Sequence, residues 1–116
     1  MNNASASVKG AGQIELKDAA VTTEQVLKDI QAMQSAKNIY TTDVQLQMLT
    51  SHVKAMVLRS ITGEPLPEVE KELFDEISDD SMKMAEEVIG WFGNLPIEEA
   101  YLLSVHFEVA RDNEPK

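Results

Sequence analysis

From residue 22 onward, apolar residues recur at the three- and four-residue spacing that marks one face of a helix. Val26, Leu27, Ile30 and Met33 form the first stripe, and Thr22 with Gln25 has capping-box spacing at its start. A second capping box, Thr42 with Gln45, precedes a stripe of Leu46, Leu49, Val53, Met56 and Val57. Gly63 is a stop signal and Pro65 forbids continuation. Pro67 suits the first turn of a third helix, with Glu68 and Glu70 favourable to its dipole and Val69, Leu73, Phe74 and Ile77 as its apolar face. Ser78, Asp79 or Asp80 caps a fourth helix carrying Met82, Ala85, Val88, Ile89 and Phe92, which Gly93 and Asn94 end. Pro96 opens a fifth, running to about Arg111. Few residues favour strands, so the pattern predicts an all-α bundle of five helices. Residues 1–20 are rich in Asn, Ala, Ser and Gly and lack periodicity. The expected organisation is therefore a flexible tail over 1–21 and one helical domain over 22–113.

Composition narrows the function classes. A chain of 116 residues fits one domain, and 43% hydrophobic content is enough for a core at that size. No cysteine is present, which excludes disulfides and thiolate metal sites and agrees with a cytoplasmic protein. No apolar run suggests a signal peptide or a transmembrane helix, so no membrane insertion is expected. Net charge is -10, unevenly spread: residues 1–62 carry six Lys/Arg against five Asp/Glu, and residues 63–116 carry four against fifteen. Phosphate contacts need Lys and Arg, so direct nucleic-acid binding is not expected. The acidic half reads first as a solvated surface, and alternatively as a docking surface for a basic partner.

Histidine is the side chain whose charge, phosphoryl and metal chemistry falls near neutral pH, and the chain has two. His52 falls near the edge of its helix's apolar stripe, roughly 90° from the centre. It shares that flank with Met48, Ala55 and Arg59, the last seven residues on and nearly in line. Arg59 could meet a phosphate or carboxylate on a facing surface, or serve as an exposed helix-end cation. His106 has Leu102, Leu103, Val109 and Ala110 as its helical neighbours, and Ser104 and Glu108 mark a narrow polar face. A helix this apolar must be covered on several sides, which points to a subunit interface. His52 is thus expected to be the more accessible of the two. From the residues alone, a satisfied core or interface histidine is the default for both. The histidines lie 54 positions apart with no His-Glu-x-x-His or tight ligand cluster, so neither metal nor cofactor is expected. The six methionines read as core filler, and Trp91 as an interface anchor or packing under the Gly93–Pro96 loop.

The histidine segments resemble the signatures of the PTS regulation domain, the PRD module of bacterial antiterminators and transcription activators. The more specific match is Leu95-Pro96-Ile97-Glu98-Glu99-Ala100-Tyr101-Leu102-Leu103-Ser104-Val105-His106-Phe107: Leu-Pro, acidic residues, an apolar helix, then His before an apolar residue. The other is Leu49-Thr50-Ser51-His52-Val53, followed by Arg59 and Gly63. Leu66-Pro67 is also PRD-like, and the resemblance covers roughly residues 22–112. Ser51 departs from the aspartate usual before the first histidine.

The resemblance implies a compact five-helix bundle that dimerises. It also implies that His52 and His106 match two phosphoacceptor positions. Their donor would be the phosphocarrier protein or a sugar-permease component of the phosphotransferase system. The chain reads as a stand-alone single PRD that regulates an unknown effector protein in transcription or transport, without turnover as an enzyme. The competing expectation is a dimeric scaffold or interaction module whose histidines are structural and never phosphorylated.

Overall fold

The computed structural model describes residues 16–113 of the chain. Among these, the helices are α1 (Ala19–Ala36), α2 (Asp43–Thr62), α3 (Asp79–Phe92) and α4 (Glu98–Arg111), with short 3-10 turns at Leu16–Asp18 and Lys71–Phe74. The all-α expectation holds, with four α-helices rather than five.

The second expected helix forms as its sequence dictates. The Thr42 side chain accepts from the Gln45 backbone N–H, and the Gln45 side chain accepts from that of Thr42. Two backbone donors at the start of α2 are thereby satisfied. Gly63 ends the helix in the left-handed conformation (φ 75°), which a residue without Cβ adopts freely. Ser78 is the residue that caps α3, and Gly93 (φ 82°) closes it.

The expected third helix does not form. Residues 67–77 hold a single 3-10 turn, with Glu70 in an extended conformation just before it. Two causes are visible in the sequence. Pro65 and Pro67 leave the approach to the segment extended, and Glu68, Glu72 and Glu76 would stack like charges at i,i+4 along a helix. Of the face expected to be apolar, Phe74 finds a partner, stacking on Tyr101 of α4 with ring centroids 5.8 Å apart. Leu73 is 73% exposed.

Helix α1 begins at Ala19, three residues before the capping box expected at Thr22. Thr22 thus lies inside the helix rather than at its cap; beside it the Thr23 hydroxyl donates to the Ala19 carbonyl (2.8 Å), and Gln25 donates to Asp29 (3.0 Å). Ala19 packs against the core, which favours the longer helix. The tail expected over 1–21 therefore has its last residues in the Leu16–Asp18 turn and α1, and residues 1–15 lie outside the described residues.

The core is drawn from all four helices: Val26 and Ile30 from α1, Leu49, Val53, Met56 and Val57 from α2, Met84, Ala85, Val88, Ile89 and Phe92 from α3, and Ala100, Leu103 and Phe107 from α4. Met84 is an addition to the predicted stripe, and Trp91 packs half-buried at the margin. Helix α4 lies against both α3 and α2, so its residues connect the two halves of the bundle. Asn94 ties the α3–α4 loop to α2: the Ser60 hydroxyl donates to its carbonyl oxygen (2.7 Å) and its amide donates to the Ser60 carbonyl (2.9 Å).

Burial separates two residues that the periodicity treats alike. Phe92→Ala is expected to cost about 3–5 kcal/mol, and Leu73→Ala to stay within about 0.5 kcal/mol. Urea unfolding of the two variants measures the difference.

Candidate functional site

Three side-chain pairs join α2 to α4 along one line. Gln45 meets Asn113 just past the end of α4, His52 meets His106, and Arg59 meets Glu99. Each step advances seven residues along α2 and retreats seven along α4. A seven-residue step is two helical turns, so the two helices run antiparallel with a continuous polar seam between them. The sequence-predicted site residues His52, His106 and Arg59 all lie on this seam.

At the centre, the two imidazoles stand with centroids 5.1 Å apart and planes at 51°. Both rings are half-buried. His52 Nε2 has no exposed surface and no hydrogen-bond partner. The greater accessibility expected of His52 is therefore not found at that nitrogen. Burial is the main cause that pushes the His52 pKa down to about 4, aided by the neighbouring His106 and Arg59. Burial pushes His106 down as well. Both rings are thus favoured in the neutral form that carries a nucleophilic nitrogen lone pair.

Two turns along, Arg59 makes a bidentate ion pair. Its Nε donates to Glu99 Oε2 (2.6 Å) and its Nη2 to Oε1 (2.7 Å). The Glu99 side chain is 1% exposed and that of Arg59 18%. Hydrogen bonds to Glu99 are the largest influence holding the Arg59 pKa above its ordinary value. Of the roles expected for Arg59, the structure shows the contact with a carboxylate on a facing helix, and at 18% exposure its side chain is not an exposed helix-end cation. Its outer side borders a cleft of about 480 Å³ that Glu64, Glu68 and Glu98 also line.

The third pair is made of neutral amides. Asn113 Nδ2 donates to Gln45 Oε1 (2.6 Å) and to the Tyr40 carbonyl (2.6 Å). Gln45 thus serves the α2 cap and the seam together. Glu99, Gln45 and Asn113 were not distinguished as site residues by sequence reasoning. The signal was present as two heptad series, Gln45–His52–Arg59 and Glu99–His106–Asn113.

The expected polar face of α4 is not left to solvent: Ser104 is enclosed and the partly exposed Glu108 is engaged by α3. Ser104 is fully buried, and Glu108 accepts from Ser78 N–H (3.2 Å), Ser78 Oγ (2.8 Å) and Ser81 Oγ (2.7 Å) at the start of α3. Those hydroxyls, Ser81 first, hold the Glu108 carboxyl below its usual range. Arg111 joins the group through Ser78 Oγ. Outward on α4 are the apolar Val105 and Val109, and outward on α2 are Val44 and Met48. At about 100° per residue, these four lie on the side of the histidine pair opposite the core. The imidazoles are therefore flanked by exposed apolar side chains.

Among solved structures, the chain is similar to a PRD-containing transcription regulator from Lactobacillus casei ATCC 334. The two are 37% identical over 90% of this chain and 92% of that one, with a TM-score of 0.79. No protein-family model matches the chain. No curated protein matches it either.

The ion pair and the imidazole pair each predict a measurable energetic effect. Arg59→Ala leaves Glu99 buried without its partner and is expected to cost about 3–5 kcal/mol, whereas Arg59→Met with Glu99→Leu restores most of the loss. Denaturant titration of the three proteins checks this. For His52, folding lowers the pKa, so between about pH 6.5 and 4 the unfolded chain binds the extra proton. Its contribution is complete above about pH 6.5 and declines as the pH falls towards 4. From pH 6.5 to 5 the wild type should lose up to about 2 kcal/mol through this group. His52→Leu should remove most of that slope, read as thermal midpoints across the same interval.

Proposed function

The chain belongs to the PRD family, and on that premise we propose that it is a regulatory module switched by phosphorylation of His52 and His106. The observation that carries this reading is the pairing of the two motif histidines, 5.1 Å apart and favoured in the neutral form. A neutral imidazole attacks phosphorus through its lone pair. The bond from phosphorus to the donor breaks as the bond to nitrogen forms. The proposed donor is the phosphocarrier protein or a sugar-permease component of the phosphotransferase system. The module regulates by binding and has no turnover of its own.

The proposed output is a change in packing. A phosphoryl group carries nearly two negative charges and strong acceptor oxygens. At a half-buried contact bordered by Val44, Met48, Val105 and Val109, it changes which surface can dock there. The proposed docking partners are a second copy of the chain, giving a homodimer, and an effector protein in transcription or transport regulation. The similar Lactobacillus casei protein is a transcription regulator, which supports the first of these outputs. No helix among the described residues is long and apolar enough to cross a membrane. A cytoplasmic location is proposed, where the phosphocarrier would be encountered.

A scaffold with structural histidines has one observation in its favour, the closed-off His52 Nε2. Against it, His106 keeps part of its surface exposed. Incubation with the phosphocarrier protein, its kinase and phosphoenolpyruvate separates the readings. The wild type should gain phosphate in intact mass, the His52→Ala/His106→Ala double variant none, and sedimentation should differ between the two forms of the wild type. A wild type that takes no phosphate assigns the scaffold role.

A further inference from the structure

We infer that the cleft bordered by Arg59 is a docking groove for a basic segment of a partner protein, one that carries Arg or Lys among apolar residues. The groove lies where α2 ends and α4 begins, at the opposite end of α2 from Val44 and Met48. Its occupation requires no phosphoryl group. At about 480 Å³ it has the size of clefts that hold a ligand.

The polar groups of the groove are nearly all acceptors. Glu64, Glu68 and Glu98 line it, the first two exposed and the third half-buried. Among the described residues, neither Glu68 nor Glu98 has an ion-pair partner, and Glu64 feels Arg59 without a salt bridge to it. Arg59 is the one cation among the lining residues, and Glu99 binds its Nε and Nη2. That ion pair offsets its charge and leaves three carboxylates uncompensated. Pro65, Pro67 and Pro96 have no backbone N–H to offer. The N–H groups of Gly63 and Glu64 are already spent on Arg59 and Thr62. Such a site favours a ligand that donates hydrogen bonds and carries positive charge.

The walls between the carboxylates favour a peptide over a bare cation. Leu66, Val69 and Leu95 are half-buried there beside the three proline rings. A polyamine gains little from leucine and valine, whereas an Arg or Lys with apolar neighbours buries its stem and theirs against them. The strap over residues 64–70 belongs to no helix or sheet. Its carbonyls from Pro65 to Val69 accept no hydrogen bond within the described residues. They are left for water or for the main chain of an incoming segment.

Charge also decides against a second copy of the chain on this face. Residues 63–116 carry four Lys/Arg against fifteen Asp/Glu. A twofold contact here would set like charges against one another, and a basic partner is attracted by the same field.

The test uses the full chain and a set of fluorescein-labelled nine-residue peptides with Arg or Lys at varied spacing among Leu, Val and Pro. Matching sets carry Gln in place of the cations or Ser in place of the apolar residues. Anisotropy is read at about 0.15 M salt, where charges more than about 8 Å apart are largely screened. The expected result is binding by members of the first set alone. Three rim ion pairs support about a tenfold change in Kd, so Glu64→Gln/Glu68→Gln/Glu98→Gln should weaken the best peptide about tenfold. Glu24→Gln/Glu86→Gln/Glu87→Gln removes as much charge elsewhere and should change it less than about twofold. Circular dichroism confirms that both variants remain folded. Absence of any binder in the first set overturns the inference. So does equal binding by the Gln or Ser sets, or equal loss in the two variants, which is attraction to net charge alone. Displacement of the peptide by an equal concentration of spermidine assigns the groove to small cations. A sedimenting dimer that only the groove variant alters assigns it to a second copy. Either result overturns the protein partner. No phosphate donor is present, so every outcome leaves the phosphoacceptor reading untouched.

Discussion

A carboxylate with almost no access to water sits between two helices and needs a fixed partner. Glu99 has that partner in Arg59, through two short charge-assisted bonds. A buried ion pair of this kind contributes little net stability compared with an apolar pair of equal volume, but breaking it is costly. Its consequence is register. A slip of α4 along α2 by one turn would leave Glu99 unpaired inside the bundle. With that end fixed, the heptad step places His106 on His52 and Asn113 on Gln45. The histidine contact is thus a dependent feature of the ion pair. The LPIEE segment belongs to the site because its second glutamate sets where the histidine lands.

The rest of the bundle is arranged so that α4 can carry this seam. Its serine is buried and donates to the Tyr101 carbonyl of its own helix, and its glutamate, partly exposed, is bound by the start of α3. Glu108 satisfies a backbone N–H and two hydroxyls there, the partners that a partly enclosed carboxylate requires. With its polar side occupied by α3, α4 turns Val105 and Val109 outward beside the histidines. An outward apolar strip on α4, matched by Val44 and Met48 on α2, is a surface that can exclude water when covered. The same packing choice clamps α3 to α4 and exposes the apolar border of the imidazole pair.

Much of this was legible from sequence where local chemistry decides the outcome. The Thr42–Gln45 box, Gly63 and Gly93 act through their own backbone and their nearest neighbours, and all three form as written. The stripes of α2 and α3 are buried nearly as their periodicity implies. The third expected helix failed because periodicity counts apolar positions and ignores repulsion among Glu68, Glu72 and Glu76. The Thr22 box lost to a tertiary contact, since Ala19 reaches the core three residues upstream. At the site, both histidines and Arg59 were identified, but their relations were not. A carboxylate facing Arg59 was one of the expected partners, but which one was hidden, because Glu99 is 40 residues away on another helix. Separation in sequence hides such pairs unless the heptad offsets on two helices are compared.

The seam is not equally strong along its length, and this bears on how a charge at its centre would be felt. At one end stand two charge-assisted bonds to a buried carboxylate. At the other stand neutral amides on Asn113, just beyond the last residue of α4, in a helix terminus where backbone bonds fray most readily. Between them the imidazoles touch without a hydrogen bond joining the two rings. Neutral rings tolerate that contact; a dianion on one of them does not, because it needs solvation that the closed contact cannot supply. Under the proposed phosphorylation, strain applied there would be resisted by the ion pair and would yield towards the amides. The position of the histidines between a rigid end and a soft one would give an added charge a direction in which to open the helices. The apolar strip on the outer face would follow, since Val105 and Val109 are carried by the same turns of α4 as His106.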